Sequence, residues 1–315
     1  MGKARQAFER AIEIRETIVR DFPDKAAYRR GLMVNYANLA DTINDVRFAP
    51  KPDPEGTRPY YQKVVAIAQS LAAADPKNHM AQMDLAQSFF RMGCLEEATS
   101  HMSAAVGQYR QALAITRAAA GVPDAARSTL ILHVSVLQRL GKVLISQGQV
   151  REAVDGYGNA FQVVKGLARR EPGSTEILGR VVASSGVLAG GLGQAGSRDA
   201  LDDLARKIEP EIERAGRSTL PPLMRPYPAI AMLRFGEAYT LLHDKPSACK
   251  WLQRSAGAWT QVESNGGITP DREPLHASTL RLLASCTAAP GLVERPSKTN
   301  QDHVSDLSQS SRNSK

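Results

Sequence analysis

Gly191, Gly193 and Gly196 stand at the G-x-G-x-x-G spacing of a dinucleotide-binding turn, within GGLGQAGSRDALDDLARKIE over residues 190–209. In such a site the glycines let the backbone approach a pyrophosphate at a helix N-terminus, and a carboxylate about twenty residues on holds the ribose. Glu209 and Glu211 lie at that distance. The chemistry also needs a strand immediately before the glycines. The preceding ILGRVVASSGVLA has the valines for one. In the phase of the chain, however, it falls where every neighbouring segment reads as a helix. The glycines are therefore expected to form a turn between helices, which would be weak ones because an interior glycine costs about 0.5–1 kcal/mol relative to Ala. Such a stretch could serve as a flexible joint.

The other reactive side chains form no constellation. His79, His101, His133, His243, His276 and His303 have no His or Cys at ligand spacing, so no metal site is expected. Cys94, Cys249 and Cys286 are far apart and odd in number, which indicates neither a disulfide framework nor zinc and suggests a reducing, cytoplasmic compartment. There is no G-x-S-x-G elbow and no kinase phosphate loop, HRD or DFG motif. The carboxylate pairs Glu96-Glu97 and Asp202-Asp203 are read as helix N-terminal residues that complement the macrodipole. Trp251 and Trp259, eight apart, share a helix face and suit a core or cap. No enzymatic activity and no cofactor are expected.

The elements that carry these residues repeat. FERAIEIRETIVRDFP, YQKVVAIAQSLAAADP, YRQALAITRAAAGVP and YGNAFQVVKGLARREP begin at Phe8, Tyr61, Tyr109 and Tyr157, spaced 53, 48 and 48. Leu204 and Leu252 continue the phase at 47 and 48. Each copy ends in Pro, which is tolerated just beyond one helix or in the first turn of the next. A second apolar-periodic segment follows each Pro, so each unit reads as helix, tight turn, helix, Pro-marked turn. Stacking such units buries a core that no single hairpin could bury. The long first interval is assigned to a Pro-rich loop insertion at 47–59. In the second unit, Gly93 and Gly107 are alternative turn sites. Hydrophobic residues make up 43% of the 315 and aromatics only 5%, which suits close-packed, Ala-rich helices. No strand pattern and no apolar run of about 18 residues is evident, so no membrane span is expected.

The third unit reads Leu137, Leu140-Gly141, Leu144, Gly148, Ala153, Tyr157 and Ala160; the fifth reads Met232, Phe235-Gly236, Tyr239, Ala248, Leu252 and Ser255. On these residues the chain, over about 4–264, resembles tetratricopeptide (TPR) repeats. Its 48-residue unit is longer than the standard 34. The long second helices resemble the arrays of kinesin light chains and those that follow eukaryotic-like serine/threonine kinase domains in bacteria. The resemblance implies an all-α, right-handed superhelical solenoid of about five hairpins over residues 1–287. Residues 270–287 would form a terminal capping helix and 288–315 a disordered tail. It also implies a concave groove that holds a peptide or partner helix. Carried over to this chain, groove positions fall on Asp41, Gln87, Gln138, Lys142, Leu233, Glu237 and Thr240. The chaperone carboxylate clamp is not supported, since Asn35 and Asn38 lack the Lys one turn away.

The expected function is non-catalytic protein–protein interaction, as a bacterial signalling scaffold. Two rival readings are the C-terminal region of a larger serine/threonine kinase, and nucleic-acid binding by the basic surface. Net charge is +8, but the cations are scattered, so nucleic acid is the less favoured partner. The first unit has only its second helix, so self-association through the N-terminal helix is also expected.

Overall fold

A computed structural model of the chain describes residues 2–44 and 53–287. The expected tail at 288–315 and residues 47–52 of the expected insertion lie outside them, as does His303. Twelve α-helices follow one another among the described residues: α1 (Gly2–Asp21), α2 (Ala26–Asn44), α3 (Pro54–Ala74), α4 (His79–Ala98), α5 (Met102–Ala120), α6 (Arg127–Ser146), α7 (Val150–Arg170), α8 (Thr175–Gln194), α9 (Arg198–Arg217), α10 (Tyr227–Leu241), α11 (Lys245–Ser264) and α12 (Glu273–Thr287). A short 3-10 turn, Pro222–Met224, links α9 to α10. There is no strand among the described residues. Each helix packs on the next, which makes an all-α solenoid of five hairpins, α2/α3 to α10/α11, flanked by α1 and α12.

The tight turns inside the last four hairpins share one construction. Ser100, Gly148, Gly196 and His243 each adopt left-handed φ values, 63°, 76°, 67° and 57°. The residue after each returns an N–H to a carbonyl of the helix just ended: His101 to Glu96, Gln149 to Leu144, Ser197 to Leu192 and Asp244 to Tyr239, at 2.8–3.0 Å. This is the Schellman closure of a helix end. It corrects the second unit, whose turn is at neither Gly93 nor Gly107. Both glycines lie inside helices, and Ser100 takes the turn because it stands 48 residues before Gly148. Gly93 is needed for packing instead: a Cβ there would lie 2.5 Å from the Tyr109 ring. Gly236 meets Leu252 in the same way, at 2.7 Å.

The moved turn also moves Glu96 and Glu97. They lie at the C-terminus of α4, not at an N-terminus. There the macrodipole disfavours them, and cations offset it. Arg58 binds Glu96, which also accepts a contact from the His101 ring at 3.0 Å, while Arg139 and Lys142 bind Glu97. The insertion is shorter than expected as well. Asp53 caps α3 by accepting from the Gly56 N–H at 2.8 Å, Pro54 occupies the first helical position, and residues 54–59 are helical.

Core residues follow the repeat. Tyr61, Tyr109, Tyr157, Leu204 and Leu252 are all buried, as are Ala153, Ala160, Ala248 and Ser255. One apolar cluster runs from Phe89 to Trp251, and a second, from Ile12 to Ala68, meets it at Leu85. α6 is long and apolar enough by composition to cross a membrane, and it packs here between α5 and α7. Trp251 stacks on Phe235 at 4.6 Å, and Trp259 donates to Thr279 of α12 at 3.1 Å. The cysteine expectation is overturned. Cys249 of α11 and Cys286 of α12 form a disulfide, with Cα atoms 5.7 Å apart, and tie down the last helix. Their 37-residue separation hides the pair in the sequence; the close packing of α11 and α12 creates it.

Candidate functional site: a groove along the first helices

The 190–209 stretch is not a nucleotide site. Gly191 and Gly193 lie within α8, Gly196 is the hairpin turn, and no strand precedes them. The glycines of α8 mediate contact. A Cβ at Gly186 would come within 2.8 Å of the Ala231 Cα, and one at Gly193 within 2.6 Å of the Ala238 Cα, both on α10. Glycines seven apart lie on one helix face, so α10 packs along that face at backbone distance. α8 packs more extensively on α10 than on its own hairpin partner, α9. A Cβ at Gly191 would lie 2.8 Å from the Tyr157 ring. The stretch therefore contributes Gly191 and Gly193 to tight packing.

The packing of α8 on α10 helps shape a groove of about 950 Å³. It is bordered by the first helix of four hairpins, α4, α6, α8 and α10, and by α12. Tyr157 alone reaches it from a second helix, α7. Four of the seven positions named from the sequence line it: Gln138 and Lys142 on α6, Glu237 and Thr240 on α10. Leu233 does not. Its side chain is fully buried, because α10 is enclosed by α8, α11 and α12 and turns only its Arg234-to-Leu241 side to the groove. Asp41 and Gln87 lie on α2 and α4 outside the cavity. Asp41 is engaged by the Tyr61 hydroxyl at 2.8 Å and by Arg91 at 3.1 Å.

Further residues complete the lining. Arg139, Arg234 and Arg281 add three cations, and Gln194 and Tyr157 add polar atoms. Their signal in the sequence is again the phase: Arg91, Arg139, Val187 and Arg234 are spaced 48, 48 and 47. Beside the groove, Glu97 accepts from Lys142 at 2.6 Å, from the Tyr109 hydroxyl at 2.9 Å and from Arg139 at 3.2 Å. Burial works to raise its pKa, but the Lys142 hydrogen bond and the two positive charges outweigh burial and hold it below the ordinary carboxylate value. Arg234 pairs with Glu237 at 2.6 Å. Arg281 has no carboxylate partner among the described residues and donates to Ser278 at 3.2 Å. The lining thus carries four cations, Arg139, Lys142, Arg234 and Arg281, against one carboxylate, Glu237. Among the described residues no cluster of His, Cys, Asp and Glu could hold a metal.

No family model and no curated protein matches the sequence significantly. Solved structures do. The crystal structure of BtubC (BKLC) from P. vanneervenii is similar with a TM-score of 0.60 at 14% identity, covering 93% of this chain and 98% of that one. A Podosopora anserina protein described as a kinesin light chain with nearly identical TPR-like repeats has a TM-score of 0.45 at 16% identity, covering 75% of this chain and 97% of that one. Fold and repeat phase together define the class: a TPR-like helical repeat protein. At such identities the likeness extends to the fold alone.

Proposed function

We propose that the chain is a non-catalytic scaffold that holds a segment of a partner protein, a peptide or a helix, along the groove of α4, α6, α8, α10 and α12. The observation that carries this reading is the continuity of the groove. Four hairpins and the terminal helix each contribute polar side chains or an apolar edge to one cavity. Repeat arrays use such extended surfaces to bind chains rather than to perform chemistry. The BtubC likeness supports the fold on which the reading stands. A photo-crosslinking residue placed at Thr240 or Gln138 is expected to capture a discrete protein in native lysate. The same residue at Gln162, exposed on α7 outside the groove, is expected to capture none. Equal capture from both positions, or capture of nucleic acid that high salt abolishes, overturns the reading.

Two further points belong to the same proposal. Ile14 of α1 and Tyr28 of α2 are exposed, and with Ala11, Arg15 and Ile18 of α1 they line a largely apolar surface hollow. We take this as a self-association surface; a monomer whose mass by light scattering is independent of concentration refutes it. We also place the protein in the cytoplasm. A persistent disulfide is rare there, so thiol trapping in cells that labels Cys94 but never Cys249 or Cys286 overturns that location.

A further inference from the structure

One position in the groove breaks a side-chain pattern that the earlier hairpins follow. In the first hairpin the Tyr61 hydroxyl donates to Asp41, and Asp41 also binds Arg91 from the next first helix, α4. In the second, the Tyr109 hydroxyl donates to Glu97, and Glu97 also binds Arg139 and Lys142 from the next first helix, α6. Each motif is therefore tyrosine, carboxylate, cation. Charge-assisted hydrogen bonds of this kind are roughly twice as strong as neutral ones.

Tyr157 occupies the same place in the third hairpin, and there the motif is incomplete. Counted from the tyrosine, Leu137 stands where Asp41 stood, Ile145 where Glu97 stood, and Val187 where Arg91 and Arg139 stood. Tyr157 makes no hydrogen bond among the described residues. Its ring is fixed between Gly141 and Gly191, each of which has no side chain where the ring lies. Ile145, Val187 and Tyr157 all border the groove. The cation is present nonetheless, supplied one hairpin further on. Burial pushes the Tyr157 pKa up to about 12, with the Arg234 charge on α10 working to lower it and the Glu97 charge to raise it, and Arg234, Arg139 and Lys142 line the same cavity as Tyr157.

We infer that the missing carboxylate is supplied in trans: the groove takes an acidic segment, with an Asp or Glu side chain of the partner accepting from the Tyr157 hydroxyl between Arg234 and the Arg139–Lys142 pair. Arg281, which has no carboxylate partner among the described residues, extends the positive lining toward α12 and suits a second acidic residue of the same segment. The inference rests on the groove reading above and adds the chemistry of what fills it.

The experiment is a selection of displayed random 12-residue peptides on the full chain, followed by fluorescence anisotropy with the selected peptides and with versions whose acidic residues are amidated. Selected peptides are expected to be rich in Asp and Glu. Tyr157→Phe keeps the ring between its two glycines and removes one hydrogen bond to a charged group, so it should weaken an acidic binder about 10-fold. The same substitution should leave the amidated peptide unchanged, and Arg234→Gln should weaken the acidic one in the same direction. Thermal melts of both variants check folding. Peptides that crosslink to Thr240 but carry no preferred acidic position overturn this inference and leave the groove reading standing. So does equal binding by Tyr157→Phe and the unaltered chain. A library that yields no groove-bound peptide overturns both.

Discussion

Gly193 lies against Ala238, so close that a Cβ at 193 would stand 2.6 Å from the Ala238 Cα and 2.8 Å from its Cβ. One turn-pair earlier Gly186 meets Ala231 at 2.8 Å. These two approaches join successive first helices, α8 and α10, backbone to backbone. They give Gly186 and Gly193 a packing role that needs no nucleotide, and Ala238 also lines the groove.

Gly193→Ala is therefore expected to destabilise the chain by about 1–3 kcal/mol, since the neighbour that must give way is backbone. Gly190→Ala has open space at its Cβ and gains helix propensity, so it should stabilise by about 0.5–1 kcal/mol. Urea melts of the two variants check both signs. Equal effects at 190 and 193 would remove the packing argument.

Ser100 holds a left-handed turn that Gly148 and Gly196 hold without a Cβ. Ser100→Gly relieves a conformation that costs an L-residue about 1–2 kcal/mol and adds the greater chain entropy of glycine. A net stabilisation of about 0.5–1 kcal/mol should appear in thermal unfolding. The reverse change, Gly148→Ser, should lower stability.

The Cys249–Cys286 bridge closes a loop of 37 residues. A cross-link of that length contributes about 3–4 kcal/mol. Because it fastens the terminal helix, its loss should be local. Hydrogen exchange measured with and without reductant is expected to show faster exchange across α12, which lines the groove through Ser278, Arg281 and Leu282, and unchanged exchange in α4 to α7.

His133 is buried, and its Nδ1 lies 3.1 Å from the Thr116 hydroxyl. Burial, and secondarily the charge of Arg117, holds its pKa below the ordinary histidine value of 6.5. Below that value the unfolded chain binds a proton that the folded chain does not, so stability falls with pH. Glu97 acts in the same direction at lower pH, because its folded pKa is depressed. Denaturant midpoints at pH 7.5 and 5.5 should show a loss on acidification, smaller in His133→Gln. An identical loss in that variant would assign the effect elsewhere.

Much of this molecule was legible as text. The repeat phase from Phe8 through Leu252 located the second helix of each hairpin, and the spacing of Pro and Gly located the turns at Gly148 and Gly196. The same phase also holds the second turn and the odd tyrosine. Ser100 lies 48 residues before Gly148, and the tyrosine-to-carboxylate offsets of the first two hairpins already show that Tyr157 has no equivalent partner. Gly93 and Gly107 are alternative turn sites in the sequence because glycine is permissive in turns; the use of Gly93 as a seat for Tyr109 is equally a property of glycine, and only the neighbour tells the two apart.

The sequence by itself determined the helices, their turns and their buried faces, because these depend on residues within one or two turns of each other. Periodicity, capping and turn conformation are local energies written in consecutive residues. The tertiary structure alone decided how α8 meets α10, that Cys249 reaches Cys286, that Leu233 is enclosed while Arg234 faces the groove, and that four cations line one cavity with a tyrosine that makes no hydrogen bond among the described residues. Those outcomes depend on how closely and at what rotation separate helices cross. The crossing is set by contacts between side chains some 40 to 50 residues apart, which no local pattern encodes.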